Sequence, residues 1–358
     1  MASHFKVQLN SPGLNEFCFM PSVNTSTLGN INQTLKYSQA VPYSSVIVSG
    51  IIFALIVILF GTTANGLIAY VLIKSEKLRE DPINSVILSL VVANFTFLIM
   101  LTLNTLSFGT ELRCKTIGMS LTGLMLCSNL NLMGIGIFRL IKLYFMKTIN
   151  EKQFNFACKF VAASSWIFSF IVLLPTALGH LGQAAVECNS RICTLTNVND
   201  DGSNVGFSIT RAYNASYILI GFLNVTSNIA AYYKIQNHCK AISSDLETLN
   251  PDLAANFLKK ERKVAKMLGT DSALYVILTL PQAMFYVIDP YATTTAYDLA
   301  PAFFALWLAT SIIEPILLLT FQSAYRDEIK KIMKKLSYQS IKSKIISWKS
   351  NLTTSTRH

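Results

Sequence analysis

Residues 86–108 read VILSLVVANFTFLIMLTLNTLSF and contain no Asp, Glu, Lys or Arg. An uncharged apolar run of this length spans the hydrocarbon core of a bilayer as an α-helix. Six other runs share this character, with at most one charged residue in each: 46–73, 116–138, 160–186, 212–233, 267–288 with Asp271, and 299–325 with Glu314. The sequence therefore predicts an all-α membrane protein, a bundle of seven transmembrane helices.

The composition supports a membrane protein. Of the 358 residues, 52% are hydrophobic and 14% are charged, whereas soluble domains carry about a quarter charged residues. These values exclude a soluble enzyme and a disordered protein. The net charge of +11 would suggest nucleic-acid binding in a soluble chain, but we expect no nucleic-acid partner and no catalytic site here.

Lys and Arg are distributed unequally between the two sides of the predicted bundle. The segments between spans carry six of these residues on one side and 24 on the other. Because basic loops stay in the cytoplasm, we expect an extracellular tail over 1–45, the seven-helix domain over 46–320, and a cytoplasmic segment over 321–358. The basic side would face anionic membrane lipid and an acidic partner.

The segment after the seventh span has the pattern of an amphipathic helix. From Phe321 to Leu336, apolar residues recur at helical spacing with basic residues between them. Such a helix lies in the plane of the membrane interface. In the outer tail, Asn24 and Asn32 each begin an Asn-x-Ser/Thr motif and are candidate glycosylation sites.

Four of the seven cysteines fall on the predicted outer side, which oxidises thiols: Cys18, Cys114, Cys188 and Cys193. We expect Cys114, at the outer start of the third span, to form a disulfide with the segment between the fourth and fifth spans. In that segment, residues 186–193 are typical of a hairpin turning at Asn189-Ser190. The pattern leaves the partner of Cys114 open. Three cysteines are expected to be free: Cys127, Cys158 and Cys239.

Ten polar residues fall at bilayer depth, where polar groups are costly: Asn65, Asn94, Ser128, Asn129, Asn131, Asn224, Asp271, Thr310, Ser311 and Glu314. They either join helices by hydrogen bonds or form a functional site. Glu314 and Asp271 point to function, because a buried ionised carboxylate needs a cation, hydrogen-bond donors or a proton. Three prolines within the runs are candidate kinks: Pro175, Pro281 and Pro315.

Over residues 45–336 the sequence resembles the rhodopsin-like family of G-protein-coupled receptors. Motifs in the same order carry the resemblance: Gly61-Thr62-Thr63-Ala64-Asn65, Lys77-Leu78-Arg79, Leu90-Val91-Val92-Ala93-Asn94, the 25-residue spacing from Cys114 to Arg139, Trp166 with Pro175, Glu261 placed 20 residues before Pro281, Glu314-Pro315, and Tyr325-Arg326. Within the family, residues 166–179 and 193–195 look most like the melatonin/Moody/trapped-in-endoderm branch. The resemblance implies an extracellular ligand, a heterotrimeric G protein and arrestin as partners.

The same resemblance assigns roles to individual residues. It pairs Cys114 with Cys193 in a disulfide, which leaves Cys188 to pair with Cys18. It places Arg139 at the G-protein-coupling face. Glu261 is then the acid expected to close that face in the inactive state.

The family pattern is broken at its activation motifs. The Asp-Arg-Tyr triplet reads Phe138-Arg139-Leu140. Thr279 stands in place of the tryptophan of the sixth helix, and Leu318 in place of the tyrosine of the seventh. A decoy or scavenger receptor without G-protein signalling is therefore an alternative. A transporter is a weaker one, since no internal repeat is evident.

The resemblance also implies a ligand pocket, formed by Leu121, Thr122, Met125, Ser216, Gln282, Tyr286, Phe304 and Trp307. Its apolar character favours a lipid-like or small apolar ligand. A peptide that contacts charged residues at the rim is the second choice: Arg191, Arg211, Asp289 and Asp298. Leu121 replaces the aspartate of amine receptors, and run 299–325 has no lysine for a retinal Schiff base.

A polar pocket inside the bundle is expected from the family's pattern, formed by Asn65, Asn94, Ser128, Thr310 and Glu314. A sodium ion bound at Asn94, Ser128 and Glu314 would balance the single acid. The competing interpretation is a protonated Glu314 that is hydrogen-bonded to Asn94 and needs no cation. No other cofactor is expected.

Overall fold

The computed structural model describes ten stretches of the chain: 5–11, 14–20, 45–106, 111–145, 150–178, 183–186, 193–196, 209–249, 251–288 and 300–335. At the ends of several helices, and in all four strands, only the backbone is described.

Helices dominate the described residues. In chain order they are α1 Ser45–Lys74, α2 Glu76–Arg79, α3 Ile83–Leu106, α4 Glu111–Tyr144, α5 Glu151–Ile171, α6 Leu174–Ala177, α7 Ile209–Leu249, α8 Pro251–Ile288, α9 Ala300–Phe321 and α10 Ser323–Lys335. Four strands form two antiparallel hairpins: β1 Phe5–Ser11 with β2 Leu14–Met20, and β3 Gln183–Val186 with β4 Cys193–Thr196.

The seven long helices close into a ring. Helix α1 packs against α3, α3 against α4 and α5, and α4 against α5 and α7. The ring continues through α7, α8 and α9, and α9 packs back against α1. The predicted seven-helix bundle is confirmed.

The apolar surface indicates a membrane environment. Large apolar side chains lie exposed on the outside of the bundle, among them Phe60, Phe156 and Phe222. By length and composition, four of the described helices are able to cross a membrane: Ile52–Lys74, Ile83–Leu103, Thr116–Tyr144 and Glu151–Ile171. The bent pair α9 and α10 counts as a fifth if it is taken as one span.

Helix α10 leaves the bundle at an angle of 89° to α9, as expected for the amphipathic helix. The buried Tyr325 fixes it, because its hydroxyl donates to Asn84 Oδ1 at 2.6 Å. Asn84 in turn donates through Nδ2 to the Leu78 carbonyl at 2.6 Å. Arg326 Nη1 donates to the carbonyls of Leu319 and Thr320, at 2.6 and 2.7 Å, so a cation caps the end of α9.

The hairpin between the fourth and fifth spans is confirmed. Val186 pairs with Cys193, the register that a turn at Asn189-Ser190 requires. The β1–β2 hairpin was not expected, since residues 1–45 were interpreted as a polar tail. Its signal was Pro12-Gly13 between two alternating segments.

Three boundaries differ from the sequence-based prediction. The fourth span was expected over 160–186, but α5 begins at Glu151 and ends at Ile171. Charged residues extend the helix beyond the uncharged run, while 183–186 form β3. Pro175 therefore lies in α6 rather than kinking the span, whereas Pro281 and Pro315 lie inside α8 and α9. The fifth and sixth spans were predicted from the runs 212–233 and 267–288, but α7 continues to Leu249 and α8 already begins at Pro251. Proline is favoured in the first helical turn, which explains the start of α8.

Candidate functional site

A small cavity lies inside the bundle where α3, α4, α8 and α9 meet. Its volume is about 40 Å³, which is room for about three waters at roughly 10–15 Å³ each. It is therefore too small for an organic ligand but suits a hydrated ion. Its walls are formed by Leu90, Asn94, Phe97, Leu124, Met125, Ser128, Asn129, Leu132, Tyr275, Trp307, Leu308, Thr310, Ser311 and Glu314.

The polar wall of this cavity contains four of the five residues expected there. Ser128 Oγ donates to Asn94 Oδ1 at 2.6 Å, which joins α4 to α3. Thr310 Oγ1 donates to the Trp307 carbonyl at 2.7 Å, so its oxygen can still accept or coordinate. Glu314 is 5% exposed, and its Oε1 has no hydrogen-bond partner among the described residues. One amide, two hydroxyl groups and one carboxyl group thus surround a space with room for about three waters.

Asn65 does not line the cavity, although it was grouped with these residues. Its Nδ2 donates to the carbonyls of Gly61 and Ser311, both at 2.8 Å. Gly61 lets α1 approach closely, because a Cβ there would lie 2.7 Å from Ile312 Cγ2 and from Leu98 Cδ1. The Gly-x-x-x-Asn pattern therefore joins α1 to α9 rather than supplying a ligand.

A second polar cluster lies between α4, α7 and α8. Asn228 Nδ2 donates to Asp271 Oδ2 at 3.0 Å, and both residues are buried. One turn away on α8, the Tyr275 hydroxyl donates to Asn129 Oδ1 at 3.2 Å. Because Tyr275 and Asn129 also line the cavity, the two polar sites are adjacent.

The sequence left Asp271 without a partner and did not single out Asn228 or Tyr275. A signal for them exists, since Asn224 and Asn228 are four residues apart, as are Asp271 and Tyr275. Residues at this spacing lie on one helix face. Each pair therefore marks a polar stripe on an otherwise apolar helix.

Phe138, which replaces the acid beside Arg139, is buried and packs edge-on against Phe154, with ring centroids 5.5 Å apart. An ion pair nearby joins Lys142 Nζ to Asp81 Oδ1 at 3.1 Å. Arg139 Nη2 is buried without a hydrogen-bond partner in the described part of the chain. The side chain of Glu261 lies outside the described residues, so its pairing with Arg139 stays a prediction.

The predicted ligand pocket is partly described. Leu121, Thr122 and Trp307 are buried, and Trp307 packs edge-on against Phe97 at 5.4 Å. Met125 and Trp307 also line the cavity, which puts it directly beside the predicted pocket. Ser216 and Gln282 are half-buried. The side chains of Tyr286 and Phe304 lie outside the described residues, as do the four rim side chains proposed for a peptide.

The outer cysteines are described only in part. Backbones are described for Cys18 in β2, Cys114 in α4 and Cys193 in β4, while Cys188, Asn24 and Asn32 lie outside the described residues. Strands β3 and β4 pack against α4, and β2 packs against β3. This places the segments of the expected disulfides next to one another. Cys127 and Cys158 are free and buried, as expected; the Cys239 side chain is not described.

The described residues contain no structural metal centre built from His, Cys, Asp or Glu. No group of three or more such residues is placed to hold a metal ion in the part of the chain that the structure describes. The cavity beside Glu314 differs from such a centre, because its oxygen atoms come mostly from amide and hydroxyl groups.

Comparison with known proteins agrees with this geometry. Residues 64–318 match the family of seven-transmembrane receptors described as the rhodopsin family. The chain belongs to the rhodopsin family of seven-transmembrane receptors. The crystal structure of squid rhodopsin is similar in fold, with a TM-score of 0.61 and 19% identity over 80% of this chain and 85% of that one. A search of curated proteins finds no significant match.

Membership of this family settles the broad class of the protein. It is a multi-pass plasma-membrane receptor rather than an enzyme, and members of the family bind an extracellular ligand and a G protein. The resemblance of residues 166–179 and 193–195 to the melatonin/Moody/trapped-in-endoderm branch stays a prediction.

Proposed function

We propose that this protein transmits the binding of an extracellular ligand to a heterotrimeric G protein through rearrangement of its helices. The observation that carries the proposal is the adjacency of three features inside one bundle. The predicted ligand pocket shares Met125 and Trp307 with the polar cavity. The cavity shares Tyr275 and Asn129 with the cluster at Asp271. That cluster packs against Gly136, three residues before Arg139.

The orientation follows from the charge distribution. With 24 of the 30 Lys and Arg residues on the side of α10, that side is cytoplasmic and the hairpins are extracellular. Helix α10 presents four exposed lysines to anionic lipid headgroups: Lys330, Lys331, Lys334 and Lys335. Arrestin would bind the same cytoplasmic face.

The ligand we favour is lipid-like or a small apolar molecule. The described walls of the predicted pocket are apolar at Leu121, Met125 and Trp307, and Thr122 already uses its hydroxyl to donate to the Gly118 carbonyl at 2.9 Å. Among the described pocket residues, the Gln282 side-chain oxygen is buried without a hydrogen-bond partner, but no charged side chain is present to balance a charged ligand. A peptide that binds at the rim is the second candidate.

The cavity beside Glu314 could exist in either of two states, with a bound sodium ion or with a protonated Glu314. A sodium ion would gain a charge from Glu314 and oxygen ligands from Asn94, Ser128 and Thr310. A protonated Glu314 would instead donate to a neighbouring oxygen and need no ion. Either state would favour one arrangement of α3, α4 and α9, because the atoms involved lie on all three helices.

On the extracellular side we propose a disulfide between Cys114 and Cys193, and glycans at Asn24 and Asn32. Packing of β4 against α4 supports the disulfide, which would tie the segment over the ligand pocket to α4. A second disulfide between Cys18 and Cys188 is supported by the packing of β2 against β3.

The test is a ligand screen on cells that express the receptor, with G-protein activation as the readout and ion flux as a parallel measurement. Ligand-dependent activation is the expected result. Ligand binding without activation would favour a decoy or scavenger receptor, which the substitutions at Phe138, Thr279 and Leu318 make the main alternative. Flux without activation would favour a transporter.

A further inference from the structure

Asp271 lies in the interior of the bundle, on the face of α8 that meets α7. It is 4% exposed, and Asn228, which donates to it at 3.0 Å, is 1% exposed. A carboxylate at this depth is costly unless it is hydrogen-bonded and balanced by a charge. Asn228 supplies a hydrogen bond but no charge.

Helix α4 approaches this pair unusually closely. Gly136 lies against α7, since a Cβ there would be 2.8 Å from Asn224 Oδ1 and 3.4 Å from Asn228 Oδ1. Arg139 follows three residues later and therefore lies on the same face of α4. The missing side chain at Gly136 brings the backbone that carries Arg139 next to the Asn228–Asp271 pair.

Arg139 carries a positive charge on this face of α4. Its Nη2 atom is buried and has no hydrogen-bond partner among the described residues, so the guanidinium is available to a carboxylate at this depth. Phe138 packs away against Phe154, so the neighbouring position offers no acid. Asp81 is already paired with Lys142 at 3.1 Å.

We propose that Asp271, oriented by Asn228, is the counter-charge of Arg139 in the inactive bundle and restrains α8 against α4 from within the membrane. This restraint lies inside the bundle, deeper than the cytoplasmic rim where Glu261 is expected. The role of this restraint in signalling rests on the proposed function. The restraint itself is a property of the isolated receptor.

The position of Asp271 also connects the restraint to the ligand side. Tyr275, one turn away on α8, donates to Asn129 in the wall of the polar cavity. Gly221 on α7 makes room for the Tyr275 ring, because a Cβ there would overlap it. A shift of α8 at the cavity therefore moves Asp271 relative to Arg139.

The test measures the distance between α5 and α8 in the purified full-length receptor without a G protein. Spin labels on Lys152→Cys and Lys263→Cys, both exposed positions, report the separation. Asp271→Asn keeps an acceptor for Asn228 and removes only the charge. It should raise the population with α8 displaced outward by about tenfold, since an unpaired buried charge strongly destabilises the closed state.

Arg139→Gln should give a similar shift, and the double variant should shift the distances no further than either single one, because it leaves no unpaired buried charge. Ser272→Ala is the matched control, because it removes a neighbouring buried hydroxyl without changing charge; it should leave the distances unchanged. Additive effects, or unchanged distances in Asp271→Asn, would overturn the proposal.

Asn228→Ala covers the case in which Asp271→Asn does not fold. It releases the carboxylate from its donor and should shift the distances in the same direction. If Asn228→Ala and Arg139→Gln both leave the distances unchanged, the proposal is wrong. A distance shift in a receptor that activates no G protein would uphold the restraint and contradict the proposed signalling function.

Discussion

Ser128 Oγ donates to Asn94 Oδ1 at 2.6 Å, and this pair lies in the wall of the same cavity as Glu314. The bond joins α4 to α3, while the acid comes from α9. A ligand or proton that engages these groups therefore acts on three helices at once. The functional states of the receptor are expected to depend on what this cavity holds.

The first prediction concerns sodium. If a sodium ion binds at Glu314 and favours the inactive state, replacing choline chloride with sodium chloride at constant ionic strength should weaken agonist binding by about fivefold or more. Glu314→Gln should abolish the difference. Agonist affinity that is insensitive to sodium but varies with pH would instead support the protonated acid.

The second prediction concerns the cytoplasmic rim. Glu261→Gln should raise basal G-protein activation a few-fold, because a partly exposed ion pair of the kind expected with Arg139 is worth about 0.2–1 kcal/mol. Basal activation is measured by nucleotide exchange at matched surface expression, with Glu76→Gln as a control, since Glu76 is exposed and pairs with Arg79 at 3.9 Å. An active receptor whose basal exchange is unchanged would show that Glu261 does not restrain it.

The third prediction concerns the extracellular disulfide. Cys114→Ala and Cys193→Ala should each lose surface expression or ligand binding, since removal of a disulfide from a small secreted domain costs about 2–5 kcal/mol. Cys158→Ala, at a free buried thiol, should retain expression. Mass mapping that joined Cys114 to Cys188 would refute the assignment.

The fourth prediction concerns the anchor of α10. Tyr325→Phe removes the hydroxyl that donates to Asn84 and should lower the free energy of unfolding by about 1 kcal/mol. Burial raises the pKa of Tyr325 above its ordinary value of 10.0. The folded state therefore binds the proton more tightly, and the stability it contributes is present below about pH 10 and lost as the pH rises further.

Thermal unfolding of both proteins between pH 7 and 11 measures this effect. The difference in melting temperature between the native protein and Tyr325→Phe should shrink above about pH 10. A difference in melting temperature that stays constant over this range would show that burial does not raise the pKa of Tyr325.

The fifth prediction compares two glycines in spanning helices. Gly61→Ala should destabilise the bundle by about 1–3 kcal/mol, because the new Cβ would lie 2.7 Å from Ile312 Cγ2 and from Leu98 Cδ1. Gly269→Ala meets nothing within 4 Å and should stabilise α8 by about 0.5–1 kcal/mol. Melting temperatures that move in the same direction for both variants would contradict the close packing of α1.

The sequence by itself determined the bundle, the amphipathic α10 and the β3–β4 register. These features depend on local hydropathy and turn residues, and in each case the residues that decide them lie close together in the sequence. The predicted end of the fourth span was wrong, because an uncharged run indicates which residues can lie inside the bilayer but not where the helix begins and ends. The β1–β2 hairpin was missed because a polar segment was interpreted without its Pro12-Gly13 signal.

Only the tertiary structure decided which polar residues meet. Asn65 and Asn94 looked alike in sequence, yet Asn65 binds the Ser311 carbonyl and Asn94 accepts from Ser128. Asp271 had no partner until α7 placed Asn228 beside it. The reason is physical: the rotation and spacing of packed membrane helices select the contacts, and small residues such as Gly61 and Gly136 set that spacing at positions far apart in the chain.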